Sequence, residues 1–510
     1  MGRAKVICRA GRLNLTPSST DDPMSLSFDP ASLTLPQGHF IGGTYVEGAP
    51  ALALTRPSDG QPLGAIPVAD AGVVDHAVQV AARAQRDSGW GACPPRDRTR
   101  ALHAWADLIE AHAVELAKLE AVASTRPISQ LPQGDVAVTA EQIRFFAELA
   151  DKEGGAVVPT RDGSLGMILD EPIGVVGAIT PWNFPISMGG WKLGPALAAG
   201  NAVVLKPSEM TPYATLRMAE LSVQAGIPAG LVNVVLGDGR GTGTALTGHP
   251  GIGKVSFTGS TAAGAAIMEN IARHGVRPMT LELGGKSPQI VFADADLDLA
   301  ARLIAGSILF NGGQACVAGS RVVVEATVAE ALTDRLVALM RPKNPGPTWD
   351  AATGYSPAIS ERQRSRIDQV VQAGIAAGAQ ALCGAAPMDL PGYFYQPTLL
   401  VDVAQDNPAV TEEIFGPVLT LQTFATEDQA QALADHPTYG LCAGVYTRDL
   451  SRALRVTRAI QAGTVWVNRY GRSRDHILPT GGYKSSGLGK DLGREAYHAN
   501  RRTKSVLIEL

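Results

Sequence analysis

Beyond residue 39 the chain moves between two spacings of apolar residues, one helical and one extended. "DHAVQVAARAQRD" (75–87) and "RTRALHAWADLIEAHAVELAKLEAVAS" (98–124) carry apolar positions at helical spacing and predict amphipathic helices. "AVVPTRDGSLGMILDEP" (156–172) alternates about an Asp-Gly turn and predicts a β-hairpin. From residue 173 the order becomes strand, Gly/Pro turn, helix, and repeats: "IGVVGAITP", "NAVVLKPS", "VNVVLG" and "KVSFTGS" are strands, while "WKLGPALAAG" and "TPYATLRMAELSVQAG" are helices. Alternation of near-continuously apolar strands with helices predicts βαβ units and a parallel sheet covered on both faces. A second set follows residue 284, with "PQIVFADA", "SRVVVEA" and "AGVYTRD" as its clearest strands. "LPGYFYQPTLL" and "NPGPTWDAATGYSP" read as loops, and "TKSVLIEL" as a terminal strand docked elsewhere in the assembly.

Composition narrows the class. With 510 residues, 45% of them hydrophobic and 18% charged, the chain reads as a globular α/β protein of at least two domains. A net charge of −4 gives no electrostatic reason to expect nucleic acid as a partner, and no apolar run is long enough to expect a membrane span. Cys8, Cys93, Cys316, Cys383 and Cys442 are odd in number and scattered, which suits neither a disulfide framework nor a zinc site and fits a cytoplasmic location. No metal is expected from the nine histidines, which lack ligand spacing. Residues 1–30, basic and then polar, with a second methionine at Met24, are expected to be a loosely ordered extension.

Two glycine-rich stretches fail as nucleotide motifs. "LGGKS" (283–287) has Thr280 where a phosphate loop needs glycine, and "GDGRGTG" (237–243) meets G-x-G-x-x-G in no register. Four others fit a ligand site. "ITPWNFP" (179–185) and "LKPSE" (205–209) sit at carboxyl ends of strands, where open α/β sheets bind ligands. "FTGSTAAG" (257–264) places Gly259 and Ser260 where a strand meets a helix start, able to hold phosphate through backbone N–H groups. "LELGGKSP" sets Glu282 between leucines before a glycine pair. Each alone also suits a cap, a turn or a buried ion pair. "FNGGQACVAGSR" (310–321) is equally ambiguous, since a lone cysteine is more often a small buried hydrophobe than a nucleophile.

Taken together and in order, "PWNFP", "KPSE", "FTGST", "LELGGKSP", "NGGQAC", "EEIFGPV" (412–418) and "GGYKSSGLGKDLG" (481–493) resemble the NAD(P)-dependent aldehyde dehydrogenase superfamily, from about residue 39 to the C-terminus. Glu282 lies 34 residues before Cys316 and Asn183 lies 133 before it, which also fits. The resemblance implies a Rossmann-like NAD-binding domain (31–152 and 173–284), a second α/β catalytic domain (285–488), and an oligomerisation arm and tail (153–172 and 489–510). That family binds NAD without the usual glycine fingerprint, and a homodimer or a tetramer of dimers is expected.

The implied chemistry agrees with the residue types. A thiolate at Cys316 would add to an aldehyde, since sulfur is the best nucleophile near neutral pH, and Gly312, Gly313 and Ala315 would leave room for the approach. The Asn183 amide and the Cys316 backbone N–H would stabilise the oxyanion, and hydride transfer to nicotinamide would leave a thioester. Glu282 occupies the position of the general base that marks the hydrolytic branch, as against members that transfer the acyl group to coenzyme A. Its leucine neighbours would raise its pKa toward neutrality. For the cofactor the resemblance implies Lys206 and Glu209 at the adenosine ribose, and Thr180 and Ser208 as further cofactor-binding residues. It places Trp182, Gly259 and Ser260 near the pyrophosphate, and Glu413 and Phe415 at the nicotinamide ribose and ring. A carboxylate at residue 209 would repel a 2′-phosphate, so NAD is expected over NADP, with NADP not excluded. Phe184, Met188, Trp191 and Phe310 match apolar substrate-tunnel positions.

Two departures bear on the substrate. Thr480 stands where an aromatic residue often precedes "GGYK", and the loop before it carries Arg469, Arg472, Arg474 and His476, offset by Asp475. A cationic entrance would favour an anionic aldehyde, whereas the apolar tunnel positions keep aliphatic and aromatic aldehydes open. An NADP-preferring semialdehyde dehydrogenase and a non-catalytic relative are the alternatives. The second predicts loss of Asn183, Glu282 or Cys316, and all three are present.

Overall fold

Apolar side chains on both faces of Val175–Ile179 and Ala202–Lys206 bury every residue of these strands at the centre of an eight-stranded sheet. The computed structural model describes residues 26–471 and 474–510. The sheet runs Thr44–Val46, His39–Ile41, Val232–Val234, Ala202–Lys206, Val175–Ile179, Lys254–Thr258, Met279–Glu282, Gly487–Leu488. From Val232–Val234 to Met279–Glu282 neighbouring strands pair in parallel, and the flanking strands are antiparallel. The chain builds outward from Val175–Ile179 on one side, then returns to lay Lys254–Thr258 on the other. This reversal opens a crevice beyond the carboxyl ends of those two strands, where ligands of such sheets bind.

A second sheet is ordered Gln380–Cys383, Thr398–Val401, Val418–Phe424, Arg321–Glu325, Pro288–Val291, Cys442–Tyr446, Thr464–Val467, all parallel except the first pair. The predicted hairpin forms, as Ala156–Val158 and Ser164–Pro172, and Arg501–Glu509 pairs along the full length of the latter. This three-stranded arm leaves Val157, Leu169, Leu507 and Ile508 exposed.

Three expectations change. Residues 489–510 do not form one tail. Leu492, Ala496 and Tyr497, spaced as one helical face, are buried in the first core, so Gly493–His498 belongs there and only Arg501–Glu509 joins the arm. Gly487–Leu488, expected within the catalytic domain (285–488), pairs with Met279–Glu282 of the first sheet, Gly487 opposite Glu282. Residues 26–30, placed in the loose extension, are docked: Phe28 N–H donates to Trp349 O at 3.2 Å and its ring packs beneath Lys118. The rest of that extension, residues 1–25, lies outside the described residues.

The loop at 344–357 acts as a clamp between lobes. Thr348, fully buried, donates through Oγ1 to Ala121 O at 2.5 Å, its N–H donates to Ser58 Oγ at 3.0 Å, and its carbonyl accepts from Ile128 N–H at 2.7 Å. Trp349 lies under the Arg56 guanidinium. "LPGYFYQPTLL" is a loop only as far as Pro397, and Thr398 begins a strand.

Beneath the first sheet, Lys192 and Asp491 form a buried ion pair, and Lys254 Nζ donates to Asn500 Oδ1 at 3.3 Å. Burial brings the Lys254 ammonium down to about 7, opposed by Asp491 and reinforced by Lys192. The unfolded chain holds that proton up to about 10.4, so between pH ~7 and ~10 unfolding takes up a proton and stability rises with pH. The stability difference between Lys254→Met and wild type is therefore expected to shift in favour of wild type by up to about 1.4 kcal/mol per pH unit across that window. Urea unfolding of both proteins at several pH values measures it, and a difference that does not change with pH contradicts it.

Candidate active site

The crevice is lined by the turns that leave three neighbouring strands. Thr180 N–H donates to Lys206 O at 3.1 Å, tying the end of Val175–Ile179 to that of Ala202–Lys206. Lys206 is buried, and burial lowers its pKa; Nζ donates to Gly237 O (2.7 Å) and Pro207 O (2.8 Å) and lies 3.5 Å from Glu209. Ser208 is buried beside them, its Oγ accepting from Met210 N–H. Ser260 caps Thr261–His274, its Oγ accepting from Ala263 N–H at 3.2 Å, and Gly259 N–H donates to Glu282 O at 3.0 Å. A helix N-terminus thus stands at the crevice, a place that favours phosphate.

The second lobe closes over this crevice. Trp182 and Phe415 meet edge to face, ring centres 5.3 Å apart, with Phe415 in the left-handed region at φ 54°. Glu413 Oε1 accepts from Gly285 N–H at 2.9 Å, and a Cβ on Gly284 would lie 2.1 Å from the same carboxylate, so only glycine permits this approach. Burial pushes the Glu413 carboxyl up to about 7. Thr180, Trp182, Lys206, Ser208, Glu209, Gly259 and Ser260 thus gather around one crevice, with Glu413 and Phe415 opposite.

The three residues expected to carry the chemistry come from both lobes. Asn183 leaves Val175–Ile179, is nearly fully buried, and donates through Nδ2 to Gln314 O at 2.9 Å. That carbonyl stands two residues before Cys316, which is partly exposed and in no disulfide. Glu282 ends Met279–Glu282, buried, with Gly481 so near its Oε1 that an added Cβ would sit 2.9 Å away. The chain then turns back toward Cys316, since a Cβ on Gly285 would meet Cys316 O at 2.7 Å.

Residues 310–314 hold the cysteine loop. Asn311, Gly312 and Gly313 have φ of 51°, 59° and 73°, and a Cβ on Gly313 would lie 2.0 Å from Gly416 O. The Gln314 side chain donates to Asn311 O and Pro357 O and accepts from Ile359 N–H. Tyr470 supports the other side, its hydroxyl donating to Val317 O at 2.9 Å. Of the tunnel residues, Phe184 and Phe310 stack with centres 5.7 Å apart, and the buried Arg126 lies over Phe310 at 4.4 Å. Met188 and Trp191 are buried in Pro185–Ala198 within the first core.

Asn311, Gln314, Tyr470 and Arg126 stand in this neighbourhood without any motif that singles them out. The first two lie inside the quoted cysteine stretch, where an Asn-Gly pair favours left-handed backbone and could have marked the loop as specially shaped. Nothing local marks Arg126 or Tyr470. In the entrance loop, Arg474 is paired with Glu141 and bonded to Gln133 O, and burial lowers the pKa of His476. Arg472 lies outside the described residues.

Comparison with known proteins decides the family. The profile of the aldehyde dehydrogenase family matches residues 45–506. The chain belongs to that family. It is 41% identical over 473 residues to an aldehyde dehydrogenase of Aspergillus niger, covering 92% of this chain and 95% of the relative. It is 38% identical over 486 residues to the cytosolic 10-formyltetrahydrofolate dehydrogenase of Xenopus tropicalis, covering 94% of this chain and 54% of that protein. The chain thus spans about half the length of the latter relative. Among solved structures, the P. syringae indole-3-acetaldehyde dehydrogenase, a mutant in complex with NAD+ and IAA, superposes with a TM-score of 0.91 at 38% identity, covering 94% of this chain and 98% of that one. The first sheet is accordingly the Rossmann-like sheet of the aldehyde dehydrogenase family. Among the described residues no helix is long and apolar enough to cross a membrane, and no cluster of metal-ligating side chains occurs.

Proposed function

We propose that this aldehyde dehydrogenase oxidises an aldehyde to the free carboxylic acid with NAD+, through a thiohemiacetal and thioester on Cys316. One observation carries the reading. The Asn183 amide is anchored 2.9 Å from the Gln314 carbonyl, at the foot of the cysteine loop, where its second N–H is free to meet an oxyanion formed on Cys316. Cys316 attacks the carbonyl carbon, and the oxyanion charge falls on Asn183 Nδ2–H and the Cys316 backbone N–H. Collapse of that centre expels hydride, and Glu282 then takes a proton from the water that attacks the thioester.

NAD+, when bound, supplies the hydride acceptor. The residues fit it: Ser260 sits at a helix N-terminus suited to the pyrophosphate, and the partly exposed Glu209 beside Lys206 suits ribose hydroxyls. The relative's bound NAD+ supports the same choice. Replacement of Glu209 by serine removes the charge that would oppose a 2′-phosphate. The ratio of kcat/KM for NAD+ to that for NADP+ is expected to fall by about tenfold or more, taking one charged contact at about 1.4 kcal/mol. An unchanged ratio would remove Glu209 from cofactor choice.

Stacked Phe184 and Phe310, and the engagement of Arg474 by Glu141, favour a neutral apolar or aromatic aldehyde over an anionic one. Turnover of succinic semialdehyde against a neutral aldehyde of equal length tests this, and a clear preference for the anion contradicts it. The exposed apolar side chains of the arm support a homo-oligomer, dimer or tetramer, and the odd number and scatter of the cysteines a cytoplasmic location.

A further inference from the structure

Asn311 is buried to 2% exposure in a left-handed backbone conformation, and its side chain makes three hydrogen bonds. Nδ2 donates to Asn183 O at 3.1 Å and to Gln314 O at 3.3 Å. Both partners are carbonyls, which only accept, so the amino end of the amide must face them. Oδ1 then faces Thr125, whose buried hydroxyl donates to it at 2.6 Å. The Gln314 carbonyl therefore receives two amides, Asn311 at 3.3 Å and Asn183 at 2.9 Å, one for each lone pair.

We propose that Asn311 is a positioning residue for the oxyanion site: by holding the Asn183 backbone and the Gln314 carbonyl together, it aims the second N–H of the Asn183 side chain at the carbonyl oxygen of the substrate. The proposal rests on the reading that Asn183 stabilises the oxyanion. With Asn311 in place, one Nδ2 hydrogen of Asn183 is spent on Gln314 O, which fixes the plane of the amide and the direction of the other. Without it, the Gln314 carbonyl and the Asn183 backbone lose their shared tether, and the amide can swing while the thiol stays where it is. Asn183 Oδ1 is buried without a hydrogen-bond partner among the described residues, so nothing at that end of the amide would hold it.

Two substitutions separate this from a need for left-handed backbone alone. Asn311→Gly keeps the backbone and removes the donors. Asn311→Asp keeps the shape and the Thr125 bond but turns an oxygen toward two carbonyls. Single-turnover NADH formation, with saturating NAD+ and aldehyde, is expected to slow roughly 10- to 100-fold in both, short of the full loss from deleting an oxyanion donor. Alkylation of Cys316 by iodoacetamide is expected to keep the wild-type rate, because the thiol is untouched. Asn311→Gly is further expected to add nothing in an Asn183→Ala background, the mark of a residue that acts through another. Wild-type hydride transfer in both variants overturns the proposal. So does an alkylation rate that falls in step, or a loss that persists in full without the Asn183 amide. If Asn183→Ala alone leaves hydride transfer intact, the oxyanion reading itself fails, and that result is distinct from any failure of Asn311.

Discussion

Cys316→Ser is expected to lower kcat for aldehyde oxidation by on the order of 10⁶-fold, the scale seen when an enzyme loses its nucleophile. A thiol near neutral pH supplies a useful fraction of thiolate, whereas a serine hydroxyl needs a strong base beside it. The change is smaller than a methyl group, and Cys316 is only partly buried, so the variant is expected to fold and to bind NAD+ as the wild type does. Cofactor binding followed by tryptophan quenching and steady-state NADH formation together check this. Substantial oxidation by the serine protein would remove Cys316 from the mechanism, while loss of cofactor binding would mean that the substitution had disturbed the crevice rather than the chemistry.

Glu282→Gln is expected to act later in the cycle. The amide preserves shape at a buried position at the end of Met279–Glu282, yet it cannot take a proton from water. General-base assistance contributes about 10²–10⁴-fold, so steady-state turnover should fall by about that much while the first hydride transfer survives. The kinetic signature is a burst close to one NADH per active site followed by a slow phase. Coenzyme A or hydroxylamine, nucleophiles that need less help than water, should speed the slow phase in this variant. A loss of the burst itself would place Glu282 in thiol activation or hydride transfer instead of hydrolysis.

How far the sequence disclosed this arrangement depends on how local each signal is. The two sheets were legible because strands such as Val175–Ile179 and Lys254–Thr258 are buried on both faces and read as unbroken apolar runs between Gly/Pro turns. The split of residues 489–510 was not. Gly487–Leu488 is two residues long and Gly493–His498 six, too short for either period to register. The clamp at Thr348 depends on Ser58, 290 residues away, and a single sequence carries no sign of such a pairing. Pro185–Ala198 is buried over its whole length, so its periodicity cannot say whether Met188 and Trp191 face a tunnel or a core. Cys316, Asn183 and Glu282 drew attention only as a set. Each alone has a common structural use, and their order and spacing carried the argument.

A covalent acyl intermediate on the Cys316 sulfur can be weighed by peptide mass spectrometry of the Glu282→Gln protein. The protein is mixed with NAD+ and an aldehyde, quenched in acid within the burst, and digested. The peptide containing Cys316 is expected to gain the mass of the acyl group, in an amount matching the NADH formed, and to lose it to hydroxylamine. An NADH burst with an unmodified Cys316 peptide, or with the acyl mass on another residue, would contradict it.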